Sequence, residues 1–435
     1  MIVRHVCGSG LQSVVIGSAL AMGLCCPNAG AADLPAREAA AIGYVRICSS
    51  YGTGFFVIPG TETCLRIAGR VRAEMRYLEP GSREDDAFGT RARGRIDIDA
   101  RNRTEHGDLR AFLRYELTRN TGIYGEDTAE LDRAFVRFAG LTAGRTQSYF
   151  DFYTNDYNFG SLLVSDFSTQ VLAYTVEWGA GFSASLALED GIERQFYNGP
   201  NGPDFPGQGF STAGERVPDL VGQLLVEQDW GKAQLSGAIR QIRSDNLVAG
   251  PAASAYVSTD YGFAIQGGVQ IKLPTFAEGD QLWLQAGYSR GALSYLGFAN
   301  TSVTDISLNQ TDVYVDVLGN AQLGRGWMAT ALFLHYWTPQ IRQAVFGSYG
   351  VIDYADNGTV LTPAGGALGF VDTTDWRVGT NLSWLPVSGF YIGIEGLYRR
   401  LDPRGRVFAD NDPATGWLIG SADALEMRLR VQRDF

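Results

Sequence analysis

The last twelve residues, Ala424-Leu425-Glu426-Met427-Arg428-Leu429-Arg430-Val431-Gln432-Arg433-Asp434-Phe435, decide the fold. Leu425, Met427, Leu429 and Val431 share one parity, and Glu426, Arg428, Arg430 and Gln432 share the other. Successive side chains of a β-strand point to opposite faces, so this segment has one apolar and one charged face. The design recurs upstream. After Cys64, Leu65, Ile67, Val71, Ala73 and Met75 alternate with Arg66, Arg70, Arg72, Glu74 and Arg76. From 91 to 103, Ala92, Gly94, Ile96, Ile98 and Ala100 alternate with Arg91, Arg93, Arg95, Asp97, Asp99, Arg101 and Arg103. Leu109, Ala111, Leu113, Tyr115 and Leu117 then alternate with Arg110, Phe112, Arg114, Glu116 and Thr118.

A soluble sheet alternates too, with its polar face to water. Length argues against that reading. These segments run to about 10–14 residues, whereas soluble strands average ~5–6 and about 9–11 tilted residues cross a bilayer. Nothing else in the chain, neither helical patterns nor a second all-apolar sheet, can cover so much apolar surface. Apolar faces turned to lipid leave the charged faces around a wet interior. Sixteen such segments are read, at 64–78, 88–105, 107–120, 129–139, 141–153, 171–180, 182–192, 219–230, 232–245, 261–273, 280–293, 311–323, 326–339, 375–386, 389–403 and 424–435. The expected fold is all-β, a 16-stranded antiparallel transmembrane β-barrel. An even count brings both ends to the periplasmic side, and closure is required because lipid offers backbone groups no partner.

The connections alternate in length. Short turns are read at Glu105-His106-Gly107, Gly179-Ala180-Gly181, Trp230-Gly231, Gly324-Arg325-Gly326 and Pro386-Val387-Ser388-Gly389, and long links at 193–218, 246–260, 340–374 and 404–423. Short periplasmic turns and long external loops are the arrangement of membrane barrels. Tyr77, Phe88, Tyr149, Phe150, Trp178, Trp230, Tyr336, Trp337, Trp376 and Trp384 fall near strand ends, as interfacial girdles require.

The first residues carry an export signal. Arg4 precedes an apolar stretch from Leu11 to Leu24, and Ala29-Gly30-Ala31 is an A-x-A cleavage site. Cleavage between Ala31 and Ala32 divides the chain into a signal peptide (1–31), a periplasmic segment (32–63) and the barrel (64–435). A membrane anchor or a lipoprotein at Cys25 or Cys26 are the alternatives. Removing Arg4, with no acid beside it, turns a formal charge of −11 into −12. Cys7, Cys25 and Cys26 go with the signal. Cys48 and Cys64 remain, and two cysteines in an exported protein suggest one disulfide, the alternative being two free thiols. No apolar run of ~18 residues follows the signal, so no transmembrane helix is expected.

The acidic balance argues against nucleic-acid binding, which needs clustered cations. The cations themselves are almost all arginine: Lys232 and Lys272 are the only lysines. Beyond the signal the histidines are His106 and His335, neither near a serine motif, so no catalytic constellation is read. No metal site and no cofactor are expected.

Several stretches resemble the alpha-proteobacterial outer-membrane porin family. They are Ala32-Asp33-Leu34-Pro35, Tyr44-Val45-Arg46-Ile47-Cys48-Ser49-Ser50-Tyr51-Gly52, the block from Gly54 to Arg66, and the block from Leu141 to Asp151. Arg37 and Arg46 stand where the family commonly has lysine. The resemblance implies a trimeric barrel whose third external loop folds inward and narrows a pore for small hydrophilic solutes and ions. It implies outer-membrane lipid and lipopolysaccharide as surroundings. The loop is expected at about 153–170, with Asp156 and Asp166 on it and Asp151 at its base. Arg70, Arg72, Arg93, Arg95, Arg110 and Arg114, near mid-strand, would form a basic wall opposite those acids. Such opposed charges orient dipolar solutes and penalise apolar ones, and arginine keeps its charge and a fixed donor geometry. Two alternatives stay open: a substrate-specific channel, and a plugged barrel acting as an adhesin or structural protein. The strand at 326–339, apolar on both faces through Met328, Leu332 and Leu334 on one side and Ala329, Ala331 and Phe333 on the other, packs against either a neighbouring barrel or an inserted loop.

Overall fold

Residues such as Ile67, Val71 and Met75 alternate with arginines, and the chain satisfies both sets by putting lipid outside and water inside. In the computed structural model Ile67 and Val71 are more than half exposed on the outer surface, while Glu74 on the other face of the same strand is buried. The structure describes residues 46–435 except 197–209, 248–254, 300, 305, 309, 317, 356–358, 362–364, 366 and 409–415. The expected signal peptide, and the start of the segment after it, lie outside the described residues.

Sixteen antiparallel strands form the barrel. The first eight are β1 (Cys64–Leu78), β2 (Phe88–Thr104), β3 (Gly107–Asn120), β4 (Thr128–Phe138), β5 (Leu141–Gln147), β6 (Ser168–Glu177), β7 (Phe182–Glu189) and β8 (Asp219–Gln228). The rest are β9 (Gly231–Ile242), β10 (Asp260–Lys272), β11 (Gln281–Arg290), β12 (Arg325–Thr338), β13 (Ile341–Asp353), β14 (Thr373–Val387), β15 (Phe390–Pro403) and β16 (Ala422–Asp434). Each strand pairs with its sequence neighbour. The sheet closes where β1 meets β16, in register from Arg70 opposite Asp434 to Leu78 opposite Glu426. Phe435 extends the closure: its N–H donates to Gly69 O at 3.0 Å, and Gly69 N–H donates to Phe435 O at 2.9 Å. A Cβ on Gly69 would lie 2.5 Å from the Phe435 ring and 2.7 Å from Arg95 O, so only glycine fits beneath that ring.

Cys48 and Cys64 form a disulfide that ties the segment preceding the barrel to the first residue of β1. Phe56 and Val57 add a two-residue strand on Leu65 and Cys64. Phe55 is buried between the guanidinium groups of Arg66 and Arg101, each 5.2 Å from its ring centre.

The barrel has the expected sixteen strands, but one lies elsewhere in the chain than its alternation suggests. Residues 311–323 are not a barrel strand. They form a small hairpin within the sixth external loop, Val313–Val315 against Ala321–Leu323. Asp316 turns the chain there: its carboxylate accepts from the N–H groups of Leu318 and Asn320 at 2.9 Å, and Gly319 takes φ +80°. The missing strand is β13, inside the expected long link at 340–374, and Arg325 and Gly326 begin β12 rather than turning. β13 escaped because both its faces are apolar. Val345 and Tyr349 face lipid, whereas Ala344, Phe346 and Ile352 face inward and are buried. The same cause explains the two-sided strand β12. Its inward Met328, Leu332 and Leu334 are buried against inserted loops, not against a neighbouring barrel.

Those loops fill the lumen beside β9–β14. The third external loop, 148–167, buries Phe150, Phe152, Tyr153, Leu162, Leu163 and Val164. Leu293, Tyr295 and Leu296 of the sixth loop bury beside it. β5 accordingly ends at Gln147, shorter than the span read to 153, because the chain turns inward at Ser148. Phe150, expected in an aromatic girdle, is wholly buried by that turn, whereas Phe88, Trp178, Trp230, Trp337 and Trp384 are exposed on the surface.

Candidate functional site: the arginine-lined lumen

Period-two alternation delivers the arginines of β1, β2, β3 and β16 to one inner wall. Register then sets like charges side by side: Arg70 lies directly opposite Arg95, Arg72 opposite Arg93, and Arg76 opposite Arg428. Directly opposed like charges destabilise a sheet. The wall tolerates them because carboxylates sit between. Asp434 Oδ1 accepts from Arg70 Nε at 2.5 Å, Glu426 Oε2 from Arg76 Nη2 at 2.6 Å, and Glu74 Oε1 from Arg430 Nη2 at 2.6 Å. Glu116 pairs with both Arg95 and Arg93, the latter at 3.3 Å, and Asp97 with Arg114 at 2.8 Å.

The third loop faces this wall. Its backbone is held by a series of side chains from β12 to β16, including Arg428 of the wall, which donates to Phe159 O. Glu395 on β15 accepts from Phe159 N–H at 2.6 Å and Gly160 N–H at 2.5 Å. Arg377 donates to Ser161 O at 2.8 Å and Asn381 to Tyr157 O at 2.7 Å. Thr330 donates to Leu163 O at 2.7 Å, and Ser348 Oγ accepts from Leu163 N–H at 3.1 Å. Nearer the loop's start, Gln234, Ser236 and Gln266 all donate to Phe150 O.

Between wall and loop runs a cavity of about 1050 Å³. It extends from Tyr124 of the second external loop to Pro339 and Gly389 in short turns at the opposite end. Its lining holds eleven arginines against six carboxylates. Asn155, Ser161 and Asp166 border both this cavity and an outer vestibule of about 480 Å³ formed with the fourth and sixth loops.

Of the nine charged residues read from the sequence, Arg70, Arg72, Arg93, Arg95 and Arg114 line the cavity on the wall side, and Asp156 and Asp166 on the loop side. Arg110 and Asp151 stand outside that lining. Arg110 grips Asp99 at 2.9 and 3.0 Å together with Arg101, next to the disulfide-tied segment. Asp151 is buried at the loop base, where it accepts from Phe167 N–H at 2.7 Å, lies 3.4 Å from Arg194, and holds the Ser165 hydroxyl. Arg76, Arg91, Arg133, Arg342, Arg428 and Arg430 also line the cavity and were not singled out. For Arg428 and Arg430 the signal was available, since they share parity with Glu426 in the strand that closes on β1.

Asp166 is open to the lumen, yet the lumen is enclosed by protein rather than bulk water. That burial, with the neighbouring Asp151 carboxylate, pushes its carboxyl up to about 7, against the opposing hydrogen bond from Asn155. Burial also raises Asp156, partly offset by Lys232.

Comparison with known proteins agrees with this geometry. The family described as the porin subfamily matches residues 33–425. Porin Omp2b of Brucella suis is 31% identical over 304 residues, spanning 65% of this chain and 75% of its own length. Porin Omp2b of Brucella abortus (strain 2308) is 30% identical over 298 residues, with the same shares. Among solved structures, the outer membrane channel DcaP of Acinetobacter baumannii matches the fold with a TM-score of 0.61 at 13% identity, over 90% of this chain and 100% of its own. The chain therefore belongs to the porin subfamily: it is a bacterial outer-membrane porin, whose barrel encloses a channel for passive diffusion.

Proposed function

We propose that solutes are selected in the gap between the arginine wall and the third loop, by size and by charge. Arg70, Arg72, Arg93, Arg95 and Arg114 carry the positive side, and Asp156 and Asp166 the negative side. Arg110 and Asp151 serve it indirectly, by holding the strand wall and the loop base. The observation that carries this reading is the inward loop, which leaves one continuous charged cavity of about 1050 Å³. Small hydrophilic solutes pass because their dipoles align in the transverse field, while apolar solutes gain nothing from it. No catalytic step is part of this reading. His335 is occupied by Asp280 at 2.7 Å, and His106 sits in an exposed turn.

The protein is exported with loss of residues 1–31 and is embedded among outer-membrane lipid and lipopolysaccharide as a homotrimer. The low wall at β5 supports a protein neighbour. Its seven residues extend ~24 Å before any tilt, less than the apolar band of ~25 Å once tilted by ~40°. Liposome swelling with sugars of increasing size tests the function. Rates that fall steeply with solute size and do not saturate are expected. No swelling with any sugar would overturn the reading in favour of a plugged barrel, and saturation by one sugar in favour of a specific channel.

A further inference from the structure

Nine of the eleven lumen arginines have a carboxylate within 4.0 Å, and the two with none among the described residues, Arg72 and Arg342, are both linked to Tyr391. Arg72 Nε donates to Gln432 Oε1 at 2.8 Å, an oxygen that also accepts from the Tyr391 hydroxyl at 3.2 Å. Both Nη groups of Arg72 have no protein acceptor among the described residues. Arg342 lies 5.5 Å from the ring centres of both Tyr391 and Tyr157, held by aromatic faces and by no hydrogen bond among the described residues. Arg430 completes the group, 3.5 Å from the Tyr391 hydroxyl. Every other lumen arginine has a carboxylate partner, several of them shared, but around Tyr391 the fold leaves two planar donor forks without one among the described residues.

We propose that Arg72, Arg342 and Arg430 around Tyr391 form an oxyanion subsite, and that the pore prefers anions and binds phosphate or carboxylate groups there in passing. The proposal rests on the channel reading above. Arginine suits it because the guanidinium fork matches two oxygens of one oxyanion. The aromatic clamp on Arg342 fixes the fork without spending its donors. The lining as a whole works in the same direction: even with Glu74, Glu426 and Asp97, which pair with its arginines from just outside it, the arginines exceed the carboxylates by two. A mean lumen potential of only about one kT would enrich chloride and deplete potassium by about e-fold each, a permeability ratio of about seven at low salt. High salt shrinks the ratio by screening.

The full mature chain in a planar bilayer tests this through the reversal potential in a potassium chloride gradient, and through the effect of added inorganic phosphate on chloride current. The expected results are a chloride-to-potassium permeability ratio severalfold above one and a chloride current reduced by phosphate. Arg72→Gln with Arg342→Gln should weaken that reduction about tenfold. Arg72→Lys should keep the anion preference while losing part of the phosphate effect, since it keeps the charge without the fork. Absence of any current overturns the channel reading and the subsite together. A working channel that prefers potassium, or one whose phosphate response is the same in the double glutamine variant, overturns the subsite alone.

Discussion

Replacing Glu395 with alanine should release the tip of the third external loop into the lumen. The carboxylate accepts from two consecutive loop N–H groups, Phe159 at 2.6 Å and Gly160 at 2.5 Å, and from Asn381 at 3.0 Å. Hydrogen bonds to a charged group are each worth about 1.5–3 kcal/mol, so the two loop bonds hold the tip by about 3–6 kcal/mol. Lumen water would replace part of that, leaving a net loss of about 2–4 kcal/mol. At about 1.4 kcal/mol per factor of ten, the fraction of time the tip is detached rises about 30- to 1000-fold. Arg428 still donates to Phe159 O, and Arg377 on Ser161 and Asn381 on Tyr157 still hold the flanks, so the change is confined to residues 157–161. Single-channel recording reads it as excess open-channel noise, and hydrogen exchange reads it as lost protection at Phe159 and Gly160. Glu395→Gln should behave similarly, because its amide turns a donor toward one of the two N–H groups. Unchanged noise and unchanged exchange, in a variant that still runs as a folded barrel, would refute the claim that Glu395 holds the loop.

Further predictions follow from other parts of the molecule. Asp166, with its carboxyl pushed up to about 7, is neutral below that pH and charged above it. The anion preference should therefore fall as pH rises from 6 to 8, and Asp166→Asn should flatten the dependence measured by reversal potential. Arg194→Ala strands the buried Asp151 carboxylate. Breaking a buried pair costs about 3–5 kcal/mol, to be read as early thermal loss of loop order with the strands intact. Reducing the Cys48–Cys64 disulfide frees a short loop worth about 3 kcal/mol, so limited proteolysis should cut near Phe55 while leaving β1–β16 resistant. Val345→Arg places a charge on the lipid face of β13, at about 2–4 kcal/mol near the bilayer centre, and should depress the refolding yield in lipid. Equal yield would contradict the placement of that strand.

How much of this could be read from the chain depends on what each strand faces. β1, β2, β3 and β16 border the open channel, so their inner faces carry charge and the alternation stands out in the sequence. β12 and β13 border the inserted loops. Their inner faces carry Leu332, Phe346 and Ile352, and the period-two contrast disappears. Residues 311–323 imitated a strand because a hairpin needs the same residue types, and the Asp316 turn with Gly319 was the cue that separated them. The wall arginines were legible as a set for the same reason as their strands. Which of them reach the lumen was not, because parity fixes the face but not the height. Arg110 shares parity with Arg114, yet it is drawn to Asp99 near the disulfide-tied segment. Asp151 and Asp166 lie in one loop, and only the inward turn at Ser148 decides that one anchors while the other lines the gap. Arg342 stayed hidden with its strand.

Single-channel recording of the mature chain in a planar bilayer tests the central claim most directly. The account predicts discrete, stable conductance steps that grow with salt without saturating. A protein that inserts and keeps the heat resistance of a barrel, yet passes no current, would contradict it.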